Sequence, residues 1–268
     1  MRGGRALLCL ALASFGARAA EGVAPDLYQD TVIVTGFDMR SRPAGFGRAL
    51  LDVLVKVSGD PRLAADPRAA AISRHAGALV AGFDYADPMA HRRPHDDQGS
   101  YDRSYDLTVR FAPAGVDAAL RSLGAKPWAG ARPVVVPLIA VQGREKPWVG
   151  TYLLTADGAE GAEQRASLAN AAARYGLVVV LPTEAELAAR GVRLGDVPPE
   201  RSTEEAGSVS VVGSIEYRPD ALGWVAAWRT RAGSADHRSS VSGVSFDAVF
   251  DRMVGEVAVL GSGSGVLQ

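Results

Sequence analysis

The stretch HRRPHDD at positions 91–97 contains the residues best suited to bind a metal ion. Imidazole nitrogens and carboxylate oxygens are ligands that zinc accepts. The proline between the two histidines prevents a regular helix, so a single helical face cannot present both of them. We therefore interpret the stretch as a solvated loop of mixed charge. The alternative is an exported metal-dependent hydrolase that uses His91, His95 and Asp96 or Asp97.

Other catalytic and cofactor patterns are missing from the sequence. A nucleophilic serine needs a base and an orienting acid, yet the chain has only four histidines and no G-x-S-x-G motif. Gly45 and Gly47 resemble the start of a dinucleotide loop, but the third glycine and any P-loop lysine are absent. We expect these two glycines to relieve crowding at the start of a helix. The sequence thus predicts no catalytic residue, no metal and no cofactor.

Four tryptophans are the candidates for contact with a protein partner. Trp128 and Trp148 each follow Lys-Pro at the edge of an apolar segment, as an exposed aromatic anchor would. Packing across a domain junction is the alternative, and we favour it. Trp224 and Trp228 are four residues apart on a predicted strand, so they point to one face. Core packing is the default for this pair, whereas an uncovered sheet face would make it a binding patch.

The first twenty residues have the pattern of a secretory signal peptide. Arg2 and Arg5 form a basic start, Ala6–Phe15 is apolar, and Ala17–Ala19 offers small residues at a cleavage site. We expect cleavage after Ala19, which makes residues 1–19 the signal peptide. The apolar run is shorter than the roughly 20 residues that a membrane span needs.

Composition and charge narrow the protein class further. The only cysteine, Cys9, lies in the expected signal peptide, so cleavage leaves no thiol for disulfides, catalysis or metal binding. The 29 basic and 30 acidic side chains argue against a nucleic-acid-binding protein. No stretch after Ala20 is apolar for long enough to cross a bilayer. We expect a periplasmic protein that is stabilised by its core alone.

The mature chain divides into two predicted halves at a linker rich in proline and glycine. The first half, residues 25–125, contains a strand at 31–35, helices at 46–57 and 67–80, a strand at 101–111 and a helix at 113–123. Residues 84–100 between them are polar and predict a loop or hairpin tip. The second half, residues 132–260, predicts two strands, a helix, a strand and a helix, followed by three strands and a closing helix.

These elements predict an α+β protein with two α/β sandwich-like halves, each a mixed sheet backed by helices. Pro137 inside the first strand of the second half favours an edge or a bulge there. Residues 261–268 are rich in Gly and Ser and are expected to form a disordered tail.

Several stretches of the chain resemble the bacterial domain-of-unknown-function family numbered 2066 over about Leu27 to Leu187. They are the helix at 49–59, the strand ending at 107–111, the helix ending at 123–124, the Pro127-Trp128 to Arg132-Pro133 linker and the apolar strand after it. That resemblance implies an exported envelope protein and no established activity or catalytic residue. The topology of the second half resembles the amino-terminal domain of TolB and related accessory proteins, which implies a binding role.

The sequence as a whole predicts a periplasmic, non-enzymatic binding or envelope-assembly accessory protein. Its expected partner is an envelope protein, which it holds through a groove or a sheet face. The alternatives are the metal-dependent hydrolase described above and a small-ligand binding protein with its pocket between the two halves.

Overall fold

A computed structural model describes residues 26–90, 103–143, 150–193, 207–233 and 235–264. Its strands and helices are, in chain order, β1 (Gln29–Thr35), α1 (Arg42–Ser58), α2 (Pro67–Ser73), β2 (Val80–Ala86), β3 (Ser104–Phe111), α3 (Pro113–Ser122), β4 (Val134–Gly143), β5 (Gly150–Leu153), α4 (Ala162–Tyr175), β6 (Val178–Val179), α5 (Glu184–Ala189), β7 (Ser208–Arg218), β8 (Gly223–Ala232), β9 (Ala235–Val244) and α6 (Phe246–Ser262).

The first sheet is antiparallel, with strand order β1-β3-β2. The strand β2 was not predicted, and the helix prediction for residues 67–80 is wrong after Ser73. There the chain makes a 3-10 turn at Ala76–Leu79 and enters β2 directly. A register shift between Val80 and Gly82 adds a bulge at the start of β2. The bulge breaks the two-residue alternation by which a strand is recognised in a sequence.

Helix α1 is the most deeply buried element of the first half. The side chains of Leu50, Val53 and Leu54 have no accessible surface, because α1 packs against β1 and β3 on one side and against α4 on another. Gly59 ends the helix in the left-handed conformation, with φ of 72°, and its N–H donates to the Val55 carbonyl at 2.7 Å. Glycine adopts this conformation without strain.

The second sheet is mixed, with strand order β5-β4-β7-β8-β9. Strands β4 and β7 are parallel, the short β6 pairs in parallel with the start of β4, and the other pairs are antiparallel. Helices α4 and α6 pack against each other, and α6 contacts β7, β8 and β9. Both sheets with their helices confirm the α+β class. Buried apolar side chains of the two halves form one continuous cluster, and the division near residues 125–132 stays a prediction.

The proline in β4 was expected at an edge or a bulge, yet β4 lies inside the sheet and pairs with β7 without a register shift. Pro137 is paired with Val211 of β7 on one side. On the other side, β6 pairs only with residues 134–135 and β5 only with residues 140–143. Among the described strands, Pro137 therefore stands at the gap between two partners, where a missing N–H donor breaks no ladder bond.

The closing helix is longer than predicted. It runs to Ser262 and is followed by Gly263 in the left-handed conformation. The Ser264 carbonyl accepts a bond from Arg62 at 2.5 Å, and the Ser264 hydroxyl donates to the Gly59 carbonyl at 3.1 Å. The prediction of a disordered tail is therefore wrong for residues 261–264, and residues 265–268 lie outside the described residues. None of the described helices is long and apolar enough to span a bilayer.

Arg132 adds a polar contact to the apolar packing between the two halves. The guanidinium of Arg132 donates to the Lys56 carbonyl at 2.7 Å, at the end of α1, and to the Tyr175 carbonyl at 2.6 Å, at the end of α4. It also lies 4.4 Å from the centre of the Trp128 ring. Burial lowers the pKa of Arg132 to about 10, so the group stays protonated at neutral pH. A cation is favourable here because helix carboxyl ends carry partial negative charge.

We predict that Arg132→Met lowers the free energy of unfolding by about 2 to 4 kcal/mol, because two carbonyls lose charge-assisted hydrogen bonds. Methionine keeps much of the apolar stem. Urea unfolding followed by circular dichroism measures the change. Arg190→Met, at an exposed position after α5, is the control. A loss under 0.5 kcal/mol for Arg132→Met, roughly the surface-substitution range, would contradict this role.

Candidate functional site

The candidate metal ligands at positions 91–97, the expected signal peptide at 1–19 and Trp148 all lie outside the described residues. Among the described residues, no group of three or more His, Cys, Asp or Glu side chains could hold a metal ion. His75 is exposed before the 3-10 turn, and His237 lies on β9 opposite Thr230. The interpretation of residues 91–97 as a solvated loop stays a prediction, with metal binding as its alternative.

The glycines that resembled a dinucleotide loop are packing residues. Both lie in the first turns of α1. A Cβ on Gly45 would come within 2.6 Å of the Leu107 side chain, and one on Gly47 within 3.0 Å of the Ser73 carbonyl. These approaches confirm that small residues relieve crowding at the start of this helix.

Three of the four candidate tryptophans are buried, with 9% (Trp128), 4% (Trp224) and 3% (Trp228) of their surface exposed. Trp224 packs edge to face with Phe246 at 5.8 Å between ring centres. The indole N–H of Trp228 donates to the buried Glu256 carboxylate. These contacts agree with the packing interpretation, and side chains this buried are not exposed anchors. Binding of a partner near them stays a prediction.

A cleft with a volume of about 840 Å³ lies between the two halves. The carboxyl ends of α1 and α6 and the segment after α3 converge on it. Trp128 lines one wall, and the edge of its ring packs so closely on α6 that a Cβ on Gly261 would come within 2.5 Å of it. The position of Trp128 therefore fixes the shape of this junction cleft. Its lining residues are Ser58, Asp60, Arg62, Leu63, Asp66, Arg68, Arg121, Leu123, Gly124, Ala125, Lys126, Pro127, Trp128, Ser262, Gly263 and Ser264.

Both carboxylates that line the junction cleft are already paired. Asp60 and Arg62 make two parallel hydrogen bonds of 2.8 Å, and Asp60 also accepts the backbone N–H of Arg62. Asp66 and Arg68 repeat this arrangement in the next turn. The Arg68 guanidinium, which donates to Asp66, holds the pKa of that carboxyl below its usual range. Each pair is neutral as a unit.

Two further cations of the cleft have no such partner. Arg121 and Lys126 are exposed, and no described carboxylate lies within 4 Å of either. Arg121 lies in the last turn of α3, and Lys126 follows this helix. Both positions favour a cation, because helix carboxyl ends carry partial negative charge. The charge that remains unpaired in the junction cleft is positive, and it is accessible to an incoming anion.

The hydroxyl groups in the cleft are also engaged. The Ser58 hydroxyl donates to the Leu54 carbonyl at 2.7 Å within its own helix. The Ser262 hydroxyl donates to the Ser264 hydroxyl at 2.7 Å, and the Ser264 hydroxyl donates in turn to Gly59. No histidine lines the cleft. Among the described lining residues, no serine has a general base beside it.

Sequence reasoning placed Lys126 only in a linker, named Trp128 as a candidate partner contact, and missed Arg121 and Arg62. The repeated Asp-Pro-Arg at 60–62 and 66–68 was the available signal. In both copies the aspartate caps the following turn and binds the arginine two residues later. The closing helix could not be placed at this cleft from the sequence, because its predicted end stopped short of Ser262.

An ionisable cluster lies farther back along α1, where this helix faces α4. Burial, together with the nearby Asp30 carboxylate, raises the pKa of Asp52 to about 6. The Asp30 carboxylate itself accepts a 2.7 Å bond from the buried Lys56 ammonium. Arg174 of α4 pairs with Asp251 at 3.1 Å. Its positive charge lowers the pKa of Asp52 and so offsets part of the rise. Ionised Asp52 therefore destabilises the folded state.

We predict that Asp52→Asn raises the free energy of unfolding at pH 7.5 by about 1 to 3 kcal/mol. The folded pKa exceeds the unfolded one, so Asp52 costs stability above about pH 6. This cost disappears as the pH falls below the unfolded pKa of about 3.9. Urea unfolding of both proteins at pH 7.5 and pH 4 tests this. An equal difference at the two pH values, or one matched by the exposed control Asp247→Asn, would contradict it.

Comparison with known proteins gives one match. Residues 22–129 match the family model described as Domain of unknown function (DUF8605). No curated protein matches the chain, and no solved structure does. The resemblance to family 2066 and to TolB is not confirmed. The first half, including most of the junction cleft, is thus similar to a domain family without an assigned function.

Proposed function

We propose that the protein is an exported, non-enzymatic binding or assembly-accessory protein of the cell envelope that holds an acidic segment of a partner protein in the junction cleft. The observation that carries the proposal is the unpaired positive charge of Arg121 and Lys126 beside a cleft of about 840 Å³. The proposed role of Trp128 is to form the wall of this site and not to act as an exposed anchor.

The state of the polar groups supports binding over catalysis. A general base or nucleophile needs a free lone pair and room to move a proton. Both lining carboxylates are held by arginines, and the serine hydroxyls already donate to protein oxygens. This arrangement is rigid and suits recognition.

The character of the walls favours a protein segment as the occupant. Pockets for small molecules are mostly apolar with a few polar groups. The junction cleft instead combines charged pairs, helix ends and one tryptophan, and its free cations lie on exposed side chains. Carboxylates of a partner segment would pair with Arg121 and Lys126 in a salt-dependent way.

The order of elements in the second half supports an accessory role. The strand β4, helix α4 and strand β6 are followed by α5, by the β7-β8-β9 meander and by the closing helix. Apart from β5 and α5, this is the order that the resemblance to the amino-terminal domain of TolB implies. Fold alone does not fix function, so the proposal rests on the cleft.

We predict that a partner captured by cross-linking from envelope extracts is lost with the double variant Arg121→Glu, Lys126→Glu. The reversed charges repel an acidic segment. Photo-cross-linking from position 125, inside the cleft, compares wild type with this variant. The matched control Arg190→Glu, Arg238→Glu changes the net charge equally at exposed positions elsewhere.

Wild type and control should capture the same partner, and capture should fall as NaCl rises from 0.05 to 0.3 M. Equal capture by the charge-reversed cleft, or no cross-linked partner at all, would contradict the proposal.

A small anionic ligand is the second candidate, because the cleft lies between the halves and its volume falls in the range of ligand pockets. A thermal-shift screen with di- and tricarboxylates distinguishes it. A concentration-dependent rise in Tm that Arg121→Glu abolishes would favour this candidate over a partner segment.

Export is a separate part of the proposal, and we predict that the protein from the periplasmic fraction lacks residues 1–19. The basic start, apolar run and small residues of this segment are the features that a signal peptidase reads. Intact-mass measurement locates the cut. The variant Ala17→Arg, Ala19→Arg, which removes the small residues, should accumulate uncleaved. An uncleaved wild-type chain in the cytosolic fraction would contradict export.

A further inference from the structure

The loop between β1 and α1, residues 36–41, carries two apolar side chains into solvent. Phe37 is 62% exposed and Met39 78% exposed, and both are among the most exposed large apolar residues described. Phe37 also contacts the ring of Tyr105 edge to face at 5.2 Å. Large apolar side chains that are exposed next to each other often mark an interaction surface, so this loop is a candidate binding surface.

Hydrogen bonds hold the loop in this conformation. Gly36, at φ of 74°, donates its N–H to the Arg103 carbonyl at 2.8 Å. The Asp38 carboxylate accepts the N–H groups of Arg40 and Ser41 at 2.8 and 3.2 Å and pairs with the Arg40 guanidinium. The backbone between the two apolar side chains is therefore tied down, and Phe37 and Met39 protrude from a fixed turn.

Two cations without described carboxylate partners lie on the Met39 side of the loop. A groove of about 420 Å³ beside the loop is lined by Met39, Arg42, Phe46, Arg74 and His75 among others. The Arg42 guanidinium lies 4.7 Å from the centre of the Phe83 ring. Neither Arg42 nor the exposed Arg74 has a described carboxylate within 4 Å. Asp38, the acidic residue of the loop itself, is neutralised by Arg40.

We propose that this loop docks the protein on the surface of an anionic lipid bilayer. Phe37 and Met39 enter the interfacial layer, and Arg42 and Arg74 contact the headgroup phosphates. Protruding apolar side chains next to unpaired cations are the combination that binds such surfaces.

A bilayer suits this loop better than a protein segment does. A peptide binds in a concave apolar groove, whereas Phe37 and Met39 hold 62% and 78% of their surface in solvent. The loop and the junction cleft lie at opposite ends of α1, about 25 Å apart for a helix of 17 residues. Lipid contact through the loop therefore leaves the cleft accessible, and the inference stands independently of the proposed function.

The test is co-sedimentation of the purified protein with sucrose-loaded vesicles at 0.1 M NaCl. One set contains one part phosphatidylglycerol to three parts phosphatidylcholine, and the other contains phosphatidylcholine alone. We expect binding to the anionic set at least tenfold stronger than to the neutral set. Phe37→Ser with Met39→Ser should lower the partition coefficient at least tenfold, and Arg74→Glu should lower it at least threefold. All substituted side chains are exposed, and unchanged thermal unfolding confirms folding.

Leu222→Asn is the matched control. Leu222 is 90% exposed on the turn between β7 and β8, and asparagine tolerates its left-handed φ of 55°. This variant should bind as wild type does. Three outcomes would each overturn the proposal. The wild type does not bind anionic vesicles, or the loop and control variants lose binding equally. The third is a loop variant that loses only the cross-linked protein partner.

Discussion

The guanidinium of Arg132 is the contact on which the arrangement of the two halves depends. It donates to the last carbonyls of two helices from different halves and lies over the ring that walls the junction cleft. Each of these carbonyls needs a donor, because a helix leaves its final carbonyls unpaired. One planar group with several donors meets both needs, which an ammonium group could not do in the same geometry.

Helix α1 connects the Arg132 contact to the first sheet. Its buried lysine, Lys56, binds Asp30 and the Gln29 carbonyl of β1, while its carbonyl accepts from Arg132. One residue thus ties the first sheet to the second half. The amino end of the same helix carries the exposed loop, and its carboxyl end forms the cleft. The two proposed surfaces are therefore fixed relative to each other by one rigid element.

Patterns that depend on local sequence were predictable, and those that depend on distant contacts were not. The order of strands and helices from β4 to α6 was predicted correctly, because the apolar runs of the second half are bounded by Gly and Pro. Strand β2 was missed because a bulge at Val80–Gly82 interrupts its alternation. The cleft was missed because Arg121, Lys126 and Ser264 are far apart in the sequence. Pro137 indicated an edge or a bulge, and the gap between β5 and β6 explains its place inside the sheet.

The match to the unknown-function domain ends at residue 129, three residues before Arg132. A polypeptide cut at that border would keep Trp128 but lose the cation above it, and the Lys56 carbonyl would lose the donor that Arg132 supplies. It would also uncover the side of α1 that packs on α4. In this chain, the positive group and the apolar cover at the end of α1 therefore come from segments beyond the matched residues.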